Sequence, residues 1–137
     1  MCYAVYIGSA VKIENSTPFN ENNPGIYLIS KKDEPIKDKF TNSFIYYIES
    51  HTGCSCGFFT DSRYEQDQED CEQAERCRNE LWTLIRNLLG KSIEVELCIC
   101  WEGQQYKKPK NNVTVLSNPF LDSFLSFSEL DFITIKQ

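Results

Sequence analysis

The sequence lacks an excess of basic residues and any long apolar run. Lysine and arginine number 14 against 20 aspartates and glutamates, which gives a formal net charge of −6. An acidic chain does not attract a phosphate backbone, so we expect no nucleic-acid partner. No stretch approaches the roughly 20 apolar residues that a membrane-spanning helix needs, so we expect no membrane partner either.

The first residues lack the basic segment and the long apolar core of a secretory signal peptide. We therefore expect a cytoplasmic protein, in a compartment where reducing conditions disfavour structural disulfides. The chain nevertheless has seven cysteines, an odd number. In that compartment they are free thiols or metal-bound thiolates.

The sequence also lacks an internal repeat, a low-complexity tract and a linker. Its 137 residues are 41% hydrophobic and 25% charged, which is ordinary for a folded globular chain. We expect a single domain that spans residues 1–137.

Short segments rich in β-branched and aromatic residues, separated by turn residues, predict strands. The predicted strands cover residues 2–8, 26–30, 44–48, 93–101, 113–116 and 132–136. Residues 33–40 are predicted to form one or two helical turns. Along residues 93–101 apolar side chains alternate with glutamate and cysteine, which predicts one packed face and one mixed face.

Apolar and small residues between positions 67 and 89 recur at the spacing of one helical face. Acidic residues crowd the first turns of this segment, and Gly90 follows its last turn, as expected of helix ends. A second, short helix is predicted from Pro119, with Asn118 as its cap. The predicted class is α+β, with a mixed β-sheet packed by one long amphipathic helix and a short C-terminal helix.

The most informative segment follows the third predicted strand. It contains the only histidine, His51, and a Cys-x-Cys pair, Cys54 and Cys56, which lies between Gly53 and Gly57. Glycines allow a tight turn that directs backbone N–H groups at sulfur, and such donors favour thiolate over thiol.

A strand ending near Ser50, a helix and a strand starting near Ile93 form a crossover unit, so the two strands are predicted to be parallel. Their carboxyl ends then lie at one sheet edge, which brings His51, Cys54 and Cys56 near Cys100. An antiparallel first strand would add Cys2. Zinc takes four nitrogen or sulfur ligands, so we predict that His51, Cys54, Cys56 and Cys100 form a zinc site.

Two other interpretations stay open. In a cysteine-dependent enzyme His51 would deprotonate Cys54, or Cys54 and Cys56 would act as a redox pair, so the sequence leaves enzyme activity undecided. In a protein-interaction module the cysteines are inert buried side chains, and the acidic surface meets a protein partner. Cys71 and Cys77 are assigned to core packing on the helix face in every case. Substrate, partner and oligomeric state are not readable from the sequence.

Four segments share a pattern with known sequences. They are Met1-Cys2-x-Ala4, Asn22-Asn23-Pro24-Gly25, His51-x-Gly53-Cys54-x-Cys56-Gly57-Phe58 and Cys100-Trp101. The chain thereby resembles a small family of uncharacterised bacterial proteins. The resemblance implies a single domain and family thiols at Cys2, Cys54, Cys56 and Cys100. It implies that Cys71, Cys77 and Cys98 are particular to this chain.

Overall fold

The structure is a computed structural model that describes residues 2–13, 18, 20, 24–60, 67–116 and 124–137. Within these residues it contains six strands, one α-helix and three 3₁₀ segments. The strands are β1 Tyr3–Ser9, β2 Gly25–Leu28, β3 Phe44–Glu49, β4 Glu94–Trp101, β5 Asn111–Leu116 and β6 Asp131–Lys136. The helix is α1 Gln68–Leu89, and the 3₁₀ segments are Lys31–Lys39, Ser55–Phe59 and Phe124–Ser126. The predicted α+β class is confirmed.

The described strands form one mixed sheet in the order β2-β3-β1-β4-β6-β5. Neighbouring strands are antiparallel except β5 and β6, which are parallel. Because β3 and β4 both pair antiparallel with β1, one on each side, they run parallel to each other. The chain between them contains α1, so the predicted crossover unit is present.

The long helix α1 covers one face of the sheet. The Asp67 side chain caps it by accepting a hydrogen bond of 3.2 Å from the amide of Asp70, and Gly90 follows its last turn. Five of its buried side chains belong to the core formed with the same sheet face; they are Cys77, Leu81, Ile85, Leu88 and Leu89. The predicted helix over residues 67–89 is confirmed. No helix within the described residues combines the length and the apolar character needed to cross a membrane.

The opposite face of the sheet is also buried. Ile36 from the segment Lys31–Lys39 packs there against a second apolar cluster that includes Cys98 and Cys100. Strand β4 is therefore covered on both faces, whereas the sequence pattern predicted one packed and one mixed face. The prediction that Ile93 belongs to the packed face of this strand is wrong, because this residue precedes β4 and is 84% exposed.

The predicted C-terminal helix begins at residues that lie outside the described part of the chain, including Asn118 and Pro119. The described residues that follow contain one 3₁₀ turn, Phe124–Ser126. Phe124 is buried in the core on the α1 side of the sheet.

Candidate functional site

Strand register places three cysteines at one edge of the sheet. Tyr3 pairs with Trp101, and Val5 pairs with Ile48, so the start of β1 lies beside the carboxyl ends of β3 and β4. Cys2 directly precedes β1. The segment that contains the Cys-x-Cys pair follows β3 and therefore begins at the same edge.

The thiols of Cys2, Cys54 and Cys56 form a cluster, called here the thiol cluster, in which all sulfur atoms lie within 4.8 Å of one another. Cys2 is exposed, and the other two are half-buried. The amide of Tyr3 donates a hydrogen bond of 3.1 Å to Cys56 Sγ. The cluster therefore joins the start of β1 to the loop after β3 and is reachable from solvent.

The loop that presents Cys54 is organised by the buried hydroxyl of Ser50. Ser50 Oγ donates to the carbonyl oxygen of Cys54 at 2.6 Å and accepts from the amide of Gly57 at 3.0 Å. A Cβ atom at Gly57 would lie only 2.3 Å from Ser50 Oγ. Gly53 has φ +81°, a value that glycine adopts without strain. The two glycines noted in the sequence thus permit this loop, one by conformation and one by close packing.

Ser55 holds the same loop against the sheet. Its buried Oγ accepts a hydrogen bond of 3.0 Å from the amide of Val5 and donates one of 2.6 Å to the carbonyl oxygen of Ile48. The hydroxyl thus bridges β1 and β3 where their pairing ends. This bridge fixes the backbone between Cys54 and Cys56.

Hydrogen bonds favour negative charge on Cys54. Burial acts to raise the pKa of this thiol, but donors from Thr52 Oγ1, the amide of Cys56 and the neighbouring thiols lower it below its ordinary value. Burial raises the pKa of Cys56 to about 12. The nearby Cys54 sulfur also raises this pKa, whereas the hydrogen bond from the amide of Tyr3 lowers it. Of Cys54 and Cys56, Cys54 is therefore the thiol that loses its proton more readily.

His51 contacts helix α1 rather than the thiol cluster. Its Nε2 lies 2.7 Å from Asp70 Oδ1, and its Nδ1 lies 3.6 Å from Cys77 Sγ. This is the order of groups in a Cys-His-Asp triad, but Cys77 is only 1% exposed, and burial raises the pKa of its thiol. A nucleophile needs access to substrate and an ionised sulfur, so we assign the contacts of His51 to anchoring the loop on α1.

Cys100 lies on the sheet face opposite α1, where it is buried in the same cluster as Ala4, its partner in β1. Burial raises its pKa to about 12. Of the predicted ligands His51, Cys54, Cys56 and Cys100, the structure brings only Cys54 and Cys56 together in the thiol cluster. The third member is Cys2. The sequence analysis placed it at this edge on the condition that the first strand is antiparallel, and β1 is antiparallel to β3 and β4.

A cavity of about 530 Å³ adjoins the thiol cluster. It was not predictable from the sequence, because its wall combines residues from distant segments. The described residues that line it are Cys2, Tyr27, Leu28, Ser30, Asp33, Tyr47, Gly53, Cys54 and Glu102. Its volume lies in the range typical of small-molecule sites, roughly 300–1,000 Å³. A molecule in this cavity would meet two sulfur atoms of the cluster.

The chain matches no protein-family model, no curated protein and no solved structure. The resemblance to a small bacterial family therefore stays a prediction. What the site does is argued below from its own atoms.

Proposed function

We propose that this protein binds a zinc ion through Cys2, Cys54 and Cys56. The observation that carries the proposal is the position of three sulfur atoms within 4.8 Å of one another. Thiolates around one tetrahedral zinc ion, each bonded at about 2.3 Å, lie about 3.8 Å apart. Small movements of side chains would therefore convert the cluster into three ligands. The proposal keeps Cys54 and Cys56 from the predicted set and replaces His51 and Cys100 with Cys2.

The thiol cluster offers three ligands, which supports a zinc site with an open fourth position. Zinc sites with a purely structural role have four protein ligands, whereas catalytic sites have three and leave a position for water or substrate. The group of metal-binding side chains found among the described residues contains three members, and two of them line the cavity. We infer that the fourth zinc position faces the cavity. Zinc there would act as a Lewis acid on a ligand in the cavity.

Metal analysis of protein purified without a histidine tag tests the proposal. We expect one zinc per chain after purification or reconstitution, and loss of it in the Cys54→Ser, Cys56→Ser double variant. Cys71→Ser is the matched control, because Cys71 lies on α1 outside the cluster, and this variant should retain zinc. Wild-type protein that remains metal-free after reconstitution with zinc under reducing conditions would overturn the proposal.

A second candidate function is thiol chemistry at Cys54 in the metal-free protein. Its support is that Cys54 lines the cavity and that its sulfur accepts a hydrogen bond from the Cys56 amide at 3.4 Å and lies 3.5 Å from Thr52 Oγ1. Such donors stabilise a thiolate, which is the nucleophilic form. They stabilise the thiolate after its proton has passed to solvent, whereas the sequence led us to expect His51 as the base that deprotonates Cys54.

Iodoacetamide labelling tests this candidate, because the thiolate displaces iodide and forms a thioether. In zinc-free protein at neutral pH we expect Cys54 to be labelled before the other cysteines, as read by peptide mass spectrometry. Thr52→Val should slow that labelling by removing one donor. Equal rates at Cys54 and at the more exposed Cys2 would refute a special reactivity.

A further inference from the structure

We propose that the cavity beside the thiol cluster binds a small organic cation, with its ammonium or guanidinium group held between Asp33 and Glu102. This inference concerns the carboxylates and tyrosines of the cavity wall. It does not depend on zinc, because the residues that carry it are not part of the thiol cluster.

One amide group brings the two carboxylates together. Gln105 Nε2 lies 3.5 Å from Asp33 Oδ1 and 3.1 Å from Glu102 Oε1. Gln105 is itself buried, so it fixes the spacing between the two acids. A charged donor that enters the cavity therefore meets two carboxylates at once.

Asp33 is held in place by neutral donors. The hydroxyl of Tyr6 donates to its Oδ1 at 2.7 Å, and the hydroxyl of Ser30 donates to its Oδ2 at 3.2 Å. The side chain is only 5% exposed, although it lines the cavity. These bonds orient the carboxylate without neutralising its charge. Among the described residues, every hydrogen-bond partner of this buried carboxylate is neutral, an environment that favours a cationic ligand.

The charge of the cavity wall selects the sign of the ligand. Its described lining includes Asp33 and Glu102 but no lysine or arginine. The nearby ammonium group of Lys39 donates to the backbone carbonyl of Gln105 and is not part of the lining. An anion would therefore face two like charges, whereas a cation would gain from both.

Aromatic rings complete the wall. Tyr27 and Tyr47, which lie opposite each other on β2 and β3, have ring centroids 6.5 Å apart, and both line the cavity together with Leu28. Burial raises the pKa of Tyr47 to about 12, so its phenol stays neutral. Aromatic faces attract ammonium and guanidinium groups, and the apolar edge suits a short alkyl chain. The ligand class is thus a small alkylammonium or alkylguanidinium ion.

The test uses n-butylguanidinium and n-butylammonium as probes, with butyrate and 1-butanol as anionic and neutral comparisons. Each is titrated into the reduced 137-residue protein in the presence of a chelator, and binding is followed by amide shifts in two-dimensional NMR spectra. We expect the two cations to shift amides around Tyr27, Asp33 and Tyr47, and to bind at least tenfold more tightly than butyrate or 1-butanol.

Variants assign that binding to the carboxylates. A hydrogen bond to a charged group is stronger than one to a neutral group, so Glu102→Gln should weaken cation binding by about tenfold or more. Asp33→Asn should do the same while retaining the shape of the side chain. Glu34→Gln is the matched control, because Glu34 is exposed, pairs with Lys37 and does not line the cavity. It should bind the cations as wild type does.

The inference is overturned if butyrate or 1-butanol binds as tightly as the cations, or if Glu102→Gln binds them as wild type does. Because Asp33→Asn alters a buried network, its spectrum is first compared with that of the wild type, and Glu102→Gln decides the outcome if it unfolds. Zinc content is measured separately, so failure of the zinc proposal leaves this test intact.

Discussion

Substitution of Gly57 by alanine is expected to displace the loop that presents Cys54. The added Cβ would lie 2.3 Å from Ser50 Oγ and less than 3 Å from two atoms of the His51 ring. All of these atoms are held in place. Ser50 Oγ is bonded to the carbonyl oxygen of Cys54, and the ring of His51 is bonded to Asp70, so neither can move aside without breaking a contact.

The cost follows from these contacts. Overpacking in a tightly packed site costs about 1–3 kcal/mol, and one broken hydrogen bond adds about 1 kcal/mol. We therefore expect Gly57→Ala to lower the free energy of unfolding by about 2–4 kcal/mol. In a domain of this size 1 kcal/mol corresponds to about 4 °C, so Tm should fall by roughly 8–16 °C.

Urea unfolding of the reduced, metal-free protein measures this loss, and zinc titration of the folded variant measures the effect on the thiol cluster. Gly53→Ala is the control. Gly53 has φ +81°, but among the residues that the structure describes no atom lies within 4 Å of an added Cβ, so only backbone strain of about 1 kcal/mol is expected. If Gly57→Ala is no less stable than Gly53→Ala, the argument that close packing shapes this loop is refuted.

Two further predictions concern a buried acid and the charged thiol. Glu96 accepts hydrogen bonds from backbone and side-chain donors of Thr41 and Asn42. We therefore expect Glu96→Ala to lower the free energy of unfolding, measured in urea, by about 2–4 kcal/mol. An equal loss of free energy in Glu94→Ala would contradict this expectation. Because hydrogen bonds lower the pKa of Cys54, its alkylation rate in metal-free protein should reach half its maximum below the usual thiol pKa of about 8.5. A midpoint at or above that value would contradict a lowered pKa at Cys54.

The elements that the sequence predicted well are those with a strong local signal. Helix α1 follows from its apolar periodicity and its cap at Asp67, and β3 and β4 follow from dense β-branched and aromatic residues. The crossover between them was also predictable, because a strand, a long helix and a second strand in one sheet leave few arrangements. That topology correctly indicated that Cys54 and Cys2 approach the same edge.

The two predicted ligands that lie outside the thiol cluster are Cys100 and His51. Their contacts depend on residues that are distant in sequence. Cys100 lies near the carboxyl end of β4, as expected, but strand alternation places it on the face covered by Ile36. His51 is close to Cys54 along the chain, yet its ring contacts Asp70 on α1. Alternation along β4 is a local signal for the face of Cys100, but the cover over that face and the contact of His51 depend on what another element offers across space.

By itself, the sequence determined the crossover of α1 between parallel strands and the presence of a glycine-flanked Cys-x-Cys loop where β3 ends. These features depend on periodicity, local turn propensity and chain connectivity. The tertiary structure alone decided that Cys2 completes the thiol cluster and that Asp33, Glu102 and the two tyrosines enclose a cavity beside it. The physical reason is that a side chain's partners are set by strand register and by which face of the sheet another element covers, and both are properties of the whole folded chain.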